Sequence, residues 1–547
     1  MSSLQHVHVL NPSSTWASFH QTLLIGVSAA LTIYGIWRGI YNVYFHPLRR
    51  FPGPWIASVS DFFKLWVIST KQVHTLTLAA HARYGPVVRV APNVLSISDP
   101  RLLPAVYHRR VDKTDVYTPG VLGDTAPPFQ TLPWREHARK RKRVAGSFAL
   151  SNLVKLEGQV DERVVEWTTA ISRRFADTGA KMDFAAWSQW FAYDTVSQLT
   201  FGEPLGFVRE ARDLSNLIKN FHDMAPFAAI VGALPWLCGP ILRSPISKWL
   251  FMPRSGDSSG TGKIMAFRDN LLKTRLEDPQ AQHKGDFLDN ILNSKNEDGS
   301  PITLEEVKVE CFILMVAGSD TTAALFCGFV RYVVQTPGVL DRLLAEIDDF
   351  DRRELLENPV PKFESIMKLR YFTACHREAL RLHPPVPMIL PRYVSEGGLD
   401  LYGKFAPAGA EIGANAYVTN RDKGIFGDDA DEFRPERWLE DPQKEANMDK
   451  YILSWGYGAR ICLGRHIAQL ETYKLLIQVG CPFLPLPRAT LARSYDLSND
   501  PSDRVQFFRL FKPSIVDPNN VWREANLALM VHWDMWLHIQ HRSLADM

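Results

Sequence analysis

One cysteine constrains this chain more than any other residue. The segment Trp455–Gly464 (WGYGARICLG) sets Cys462 behind a glycine-bearing loop and directly before a helical pattern, Arg465–Ile477. A thiol in that place gains two kinds of support for its thiolate form. The helix N-terminus contributes positive dipole, and loop N–H groups can point at the sulfur, as the tuning of a metal-bound cysteine requires. Gly458 and Gly464 leave the backbone bare enough for a flat group to lie against it. Most lone cysteines are small buried hydrophobes, and Cys238, Cys311, Cys327, Cys375 and Cys481 read that way. The six cysteines include no CxxC pair, so neither a disulfide scaffold nor a zinc module is indicated.

The N-terminus constrains where the chain resides. From Trp16 to Trp37 there is no Lys, Arg, Asp or Glu, and Arg38, Arg49 and Arg50 follow. About 20 apolar residues suffice to cross a bilayer, and flanking positive charge keeps its side cytosolic. Residues 1–15 are therefore expected to be a short luminal tail, 16–37 a transmembrane anchor, and 38–56 a proline-rich hinge containing Phe51-Pro52-Gly53-Pro54. Residues 57–547 read as one domain, since Ser255–Gly262 (SGDSSGTG) is too short to divide it. A cleaved signal peptide is the rival reading. Against it stand the missing basic n-region and the bulky residues 41–45 where a small-residue cleavage site would fall.

Helical patterns at Leu304–Gln335 and Leu340–Asp348, with alternation in Val88–Ser98 and Leu529–Ile539, predict a mainly α chain with a minor β portion. At 46% hydrophobic and 22% charged residues the composition is globular. A net charge of +3 gives no reason to expect a nucleic-acid partner. On a helical pattern, Glu378 and Arg381 stand three apart and share a face; alone, such a pair is common, and exposed it contributes little. Residues 317–322 (AGSDTT) put a mid-helix glycine beside alcohols, which loosens the ladder and opens space. The bland alternative is a solvated aspartate with capping threonines.

Taken together, these segments resemble the cytochromes P-450. Residues 455–464 match the haem loop F-x-x-G-x-R-x-C-x-G, with Trp455 where Phe is usual. Glu378–Arg381 matches E-x-x-R, Leu382–Pro385 and Phe433–Trp438 (FRPERW) match its context, and residues 317–322 match the oxygen-activation motif. The resemblance implies a single cytochrome P-450 catalytic domain holding haem b, with Cys462 as the axial iron ligand. It implies packing of Trp455, Gly458 and Gly464 against the haem, and Arg460, Arg392, His137 and Arg141 around the propionates. His137–Arg141 aligns with W-x-x-x-R, with Trp134 one turn earlier and Phe148 fixing the register. Asp320 and Thr321 become the catalytic pair that handles protons, and Glu378, Arg381 and Arg437 a structural ion network.

The function so implied is a membrane-anchored, NADPH- and O2-dependent monooxygenase placing one oxygen atom in a hydrophobic small molecule by hydroxylation, epoxidation or oxidative demethylation. Electrons would come from NADPH through a separate cytochrome P-450 reductase carrying FAD and FMN. The basic run Arg139–Arg143 would steer that acidic partner; a nuclear-localisation-like patch and a solvated helix face are its other readings. Substrate contacts are expected at Tyr117–Pro128, Ala225–Leu237, the helix face before Asp320, and Val386–Leu390. The expected location is the endoplasmic reticulum membrane, single-pass, with the catalytic domain in the cytosol.

Tyr44–Leu48, Asp112–Asp115 and Tyr117–Gly120 resemble filamentous-fungal members similar to pisatin demethylase, which points to secondary-metabolite biosynthesis. A haem-thiolate isomerase or dehydratase and a non-enzymatic haem sensor are the alternatives, and the Asp320–Thr321 pair weighs against both. The resemblance covers Tyr44–Ile477 and resumes at Trp522–Arg542. Between them, Val479–Arg488 (VGCPFLPLPR) and Arg504–Asn519 read as insertions or retained intron sequence.

Overall fold

Thr303 starts the longest helix of the interior. Its hydroxyl accepts from the Glu306 N–H (3.2 Å) while the Glu306 carboxylate accepts from the Thr303 N–H (3.0 Å), a capping box that satisfies two orphan donors. In the computed structural model that helix runs over Leu304–Gln335, the range its periodicity predicts. The structure describes residues 12–117, 125–244, 254–257, 260–277, 284–357, 359–477, 511–526 and 529–541.

The helices that position the site are α1 (Pro12–Ile40), α2 (Val73–Tyr84), α3 (Trp134–Val144), α4 (Glu157–Ile171), α5 (Phe184–Phe201), α6 (Leu217–Ala233), α7 (Leu304–Gln335), α8 (Val339–Arg352), α9 (Arg370–Leu382) and α10 (Arg465–Ile477). The strands are β1 (Val87–Ala91), β2 (Val94–Ile97), β3 (Lys181–Asp183), β4 (Arg392–Tyr393), β5 (Leu399–Leu401), β6 (Lys404–Ala406), β7 (Glu411–Ala414), β8 (Phe511–Ile515), β9 (Arg523–Asn526), β10 (Met530–Trp533) and β11 (Trp536–His541). The chain is mainly helical with a minor β portion, as its patterns predict.

One sheet has the order β1-β2-β7-β4, with β2 and β7 parallel; another has β3-β11-β8, all antiparallel; β5–β6 and β9–β10 are separate pairs. The alternation in Val88–Ser98 resolves into two strands because Pro92 has no N–H to give a ladder. That in Leu529–Ile539 breaks where Asp534 adopts φ +57°.

α7 packs along α5, where the buried rings of Phe191 and Phe326 meet edge to face. By length and composition both α7 and the stretch His20–Phe45 could cross a membrane. The apolar window of α7 is 67% buried in protein, whereas that of His20–Phe45 is 0% buried. The first is thus a core helix, and the second fits a membrane anchor.

The expected hinge is less free than its prolines suggest. The chain stays helical from α1 through a π turn at Tyr41–Phe45, and the Pro-Gly-Pro segment docks on β1. There the Arg89 N–H donates to the Pro52 carbonyl (2.8 Å), and its guanidinium to the Asn42 (3.0 Å) and Pro92 (2.7 Å) carbonyls. A Cβ on Gly53 would strike the Arg89 carbonyl.

Val479–Arg488, with Cys481, lies outside the described residues, as do 504–510. Residues 511–515 form β8 and pair with β11. α10 is held at its far end by the fully buried Lys474, whose ammonium pairs with Glu157 of α4.

Glu378, Arg381 and Arg437 are all buried. Arg381 makes two bonds to Glu378 (2.7 and 2.8 Å), Arg437 adds one (2.8 Å) and the Trp438 indole another (2.9 Å). Removing one partner strands a buried charge, so Arg381→Leu should cost about 3–5 kcal/mol of unfolding free energy. Arg353→Ala, which removes an exposed pair with Asp349, should cost under about 1 kcal/mol. Urea unfolding of both variants checks this, and equal losses would refute it.

Candidate active site

The loop before α10 takes its shape from glycines. Gly456 and Gly458 have φ of +75° and +65°, the left-handed region that glycine tolerates, and a Cβ on Gly458 would collide with the Tyr107 carbonyl. The Cys462 N–H donates to the carbonyl of the half-buried Trp455 (2.7 Å), closing the loop. Cys462 keeps accessible surface, yet surrounding protein pushes its thiol pKa up. A group that is both accessible and desolvated lines an interior void. The Gly464 N–H, Arg141 and Arg465 oppose burial and favour the thiolate. A Cβ on Gly464 would meet nothing within 4 Å, so bare backbone faces open space two residues from the sulfur.

Beside this loop the chain gathers positive charge. Arg460 donates to the Thr131 (2.7 Å) and Leu132 (2.6 Å) carbonyls, and Arg141 of α3 to the Ile461 carbonyl (2.8 Å). Arg392 of β4 donates to the Tyr117 hydroxyl and the Pro391 carbonyl (both 2.9 Å). Lys113, which its sequence context did not mark as a site residue, donates to the Phe129 carbonyl (2.6 Å) under the Tyr117 ring. Among the described residues none of these four cations has a carboxylate in ion-pair reach.

The cations perturb one another. Burial and then Arg392 push Arg460 down to about 10, and burial with Arg392 and Arg460 holds Lys113 well below its usual range. His137 is pushed down to about 3 by burial, then by Arg460 and Arg141, so it is a neutral donor. Its rival Trp134 turns its ring to Arg135 instead. An unneutralised cationic cluster, with Lys113 and Arg392 buried and Arg141 and Arg460 half-buried, beside an accessible cysteine fits a flat metal complex with anionic substituents on one edge.

The basic run Arg139–Arg143 is not one solvated face. Lys140 is buried and pairs with Glu136, Arg143 pairs with Glu306 of α7 (2.9 Å), and Arg141 is committed to the loop. Only Arg139 and Lys142 of the run are exposed, because helical periodicity turns the other three inward.

On α7, Gly318 does not break the helix. A Cβ there would come within 2.9 Å of Val196 on α5, so close helix packing explains it. Thr321 bonds back to the Ala317 carbonyl (2.8 Å), and Ala317 is exposed between the buried Met315 and Ser319. Asp320 is buried; its Oδ2 lies 3.0 Å from His222 Nε2 on α6, and its Oδ1 has no hydrogen-bond partner among the described residues. His222 is a second residue that sequence reasoning missed, because its partner lies 98 positions away.

Asp320, Val316 and Phe312 border an apolar cavity of about 840 Å³, with Met388, Ile389 and Val531 among its other walls. Parts of the four expected substrate-contact stretches reach this cavity, while residues 118–124 lie outside the described residues.

Burial disfavours the charged ring of His222, but the Asp320 carboxylate outweighs it and the pKa lies above the ordinary value. A raised folded pKa contributes stability that is complete below the unfolded pKa, about 6.5, and is lost as pH rises through the folded value. Unfolding free energy should therefore fall over that window, and His222→Gln should flatten this part of the curve. An unchanged slope in the variant would refute the pairing.

Comparison with known proteins agrees with this geometry. The family profile described as Cytochrome P-450 matches residues 53–479. A quiannulatic acid synthase of Emericella variicolor is 31% identical over 478 residues, 84% of this chain and 93% of that protein. A cytochrome P-450 monooxygenase of Aspergillus flavus is 33% identical over 436 residues, 78% of this chain and 85% of that protein. The monooxygenase mpaDE' of Penicillium brevicompactum is 32% identical over 440 residues, and there the chain spans about half (51%) of the relative's length. The chain belongs to the cytochrome P-450 family and is a haem b oxidoreductase that takes its electrons from a separate reductase.

Proposed function

We propose that the chain is a membrane-anchored monooxygenase acting on an apolar small molecule in fungal secondary metabolism. The observation that carries this is the unneutralised cluster of Lys113, Arg141, Arg392 and Arg460 beside an accessible Cys462. Cys462 would hold the iron, the four cations with His137 would hold the propionate edge, and Gly464 would let the ring lie against the backbone. The haem, when bound, supplies the redox chemistry that activates O2.

The remaining work falls to the chain's own groups. The apolar cavity orients the substrate and excludes bulk water. The Thr321 hydroxyl, now donating to the Ala317 carbonyl, is the proton-giving group of this reading, next in sequence to the cavity-lining Asp320. Asp320, tied through Oδ2 to His222 with Oδ1 open, is placed to replenish that proton. The names of the related monooxygenases support the reaction class. His20–Phe45 supports anchoring, with the catalytic domain on the cytosolic face of the endoplasmic reticulum and an NADPH-dependent flavoprotein reductase as donor. Residues 1–15, 16–37, 38–56 and 57–547 are the tail, anchor, hinge and catalytic domain of this reading.

The reduced protein with CO should show the red-shifted Soret band of thiolate ligation, and Cys462→Ala should lose it. Thr321→Ala should lower product formation about a hundredfold while NADPH consumption with reductase continues. An unshifted CO spectrum in folded wild-type protein would sink the ligand assignment, and unaltered coupling in Thr321→Ala the proton role.

A further inference from the structure

The turn after α9 and the β9–β10 hairpin bring metal-ligating side chains together away from the Cys462 site. The antiparallel register sets His532 opposite Glu524, so both leave one face of the hairpin. That face meets His383 at the end of α9. The His383 and His532 Nε2 atoms stand 2.8 Å apart, and a Glu524 oxygen lies 3.8 Å from His532 Nε2. All three ligand atoms fall within 4.8 Å of one another. Behind them, His74 of α2 lies 3.7 Å from the other Glu524 oxygen.

The frame around these groups is fixed. The Met530 N–H donates to the Pro385 carbonyl and the Asn526 amide to the Pro387 carbonyl (both 2.9 Å), which seats the hairpin on the turn. Trp522 packs against both imidazoles, at 5.1 and 4.4 Å between ring centres. A Cβ on Gly328 would come within 3.1 Å of the His383 ring, so α7 backs that side. Both rings are buried, while Glu524 reaches solvent and gives an ion its way in.

We propose that His383, His532 and Glu524 bind one divalent cation of the zinc class, with His74 orienting the carboxylate. Two imidazoles and a carboxylate are a zinc donor set, with bonds of about 2.0–2.2 Å, and the mixed donors disfavour calcium and magnesium, which take oxygen. Bonds of that length put donors roughly 3.3 Å apart, so the two rings need part by only about half an ångström. His74 stands where a partner of a metal-bound carboxylate belongs. Arg331, stacked over Trp522 at 4.4 Å, is the opposing charge. Val531 and Asn526 of the same hairpin line the large cavity, so a bound cation would brace that wall from behind. The site stands independently of the Cys462 assignment.

The test uses full-length, haem-loaded protein in detergent, stripped with EDTA, exposed to zinc chloride, desalted and analysed for zinc and iron. One zinc per haem is expected, unaffected by excess magnesium or calcium. His532→Gln and Glu524→Gln should weaken binding at least about a hundredfold while keeping haem content. His74→Gln should weaken it about tenfold and serves as the readout if a ligand variant fails to fold. No zinc above background in wild-type protein, or wild-type zinc content in the folded variants, would overturn the site and leave a histidine–histidine hydrogen bond only.

Discussion

Glu378 bears its negative charge where no water reaches, and such a charge is tolerable only if protein dipoles and cations replace the lost hydration. Burial alone would drive its carboxyl pKa up; Arg381 and Arg437 more than reverse this and hold it below the ordinary range. The groups that achieve this come from α9 and from the segment around Arg437. Arg381 then spends its other donors on the Asn420 (2.8 Å) and Ala430 (2.6 Å) carbonyls. The Asn420 side chain accepts from the Leu453 N–H (3.0 Å) and donates to the Ser454 hydroxyl (2.8 Å), immediately before Trp455. The Cys462 loop therefore inherits its position through directional bonds that begin at one buried carboxylate. Apolar packing of equal volume would fill the space without fixing the direction.

The opposite problem arises next to that loop, where Lys113, Arg141, Arg392 and Arg460 converge. Carbonyl oxygens, the Tyr117 hydroxyl and the faces of Tyr117 and Phe129 satisfy their hydrogens. None of these removes the net charge, and like charges in a low-dielectric setting repel. An anionic group bound there would relieve repulsion present only in the folded chain, so its affinity and the chain's stability are linked. The two electrostatic centres divide the labour. The Glu378 network is neutralised from within and is structural; the cationic cluster is left open and is receptive.

What the sequence revealed follows the range of each interaction. Helix α7 was legible to its ends because its apolar pattern is local. The Glu378–Arg381 pair was legible because three residues bring the two onto one helical face. Arg437 and Arg392 came only by resemblance, since nothing local marks them. Lys113 and His222 escaped notice because their significance lies in partners remote along the chain, the Arg392 and Arg460 cluster and Asp320. The run Arg139–Arg143 misled in the other direction. Five consecutive cations look like a surface stripe, but a helix sends successive residues about 100° apart, and three of the five meet buried or loop partners.

The cavity itself is apolar, and apolar contact sets no register between the elements that enclose it. Register is set at polar joints on its walls: His222 with Asp320 fixes α6 against α7, and His532 with His383 fixes the hairpin against the end of α9. Both joints pair an imidazole with a group remote in sequence, and both place a cavity-lining element within a few ångströms of the α7–α9 core. A wall made of α6 alone would slide on its apolar face. Tied at Asp320, it can part from α7 only by giving up that bond. Separation of α6 from α7 is therefore coupled, through one hydrogen bond, to the loss of a partner by a buried carboxylate.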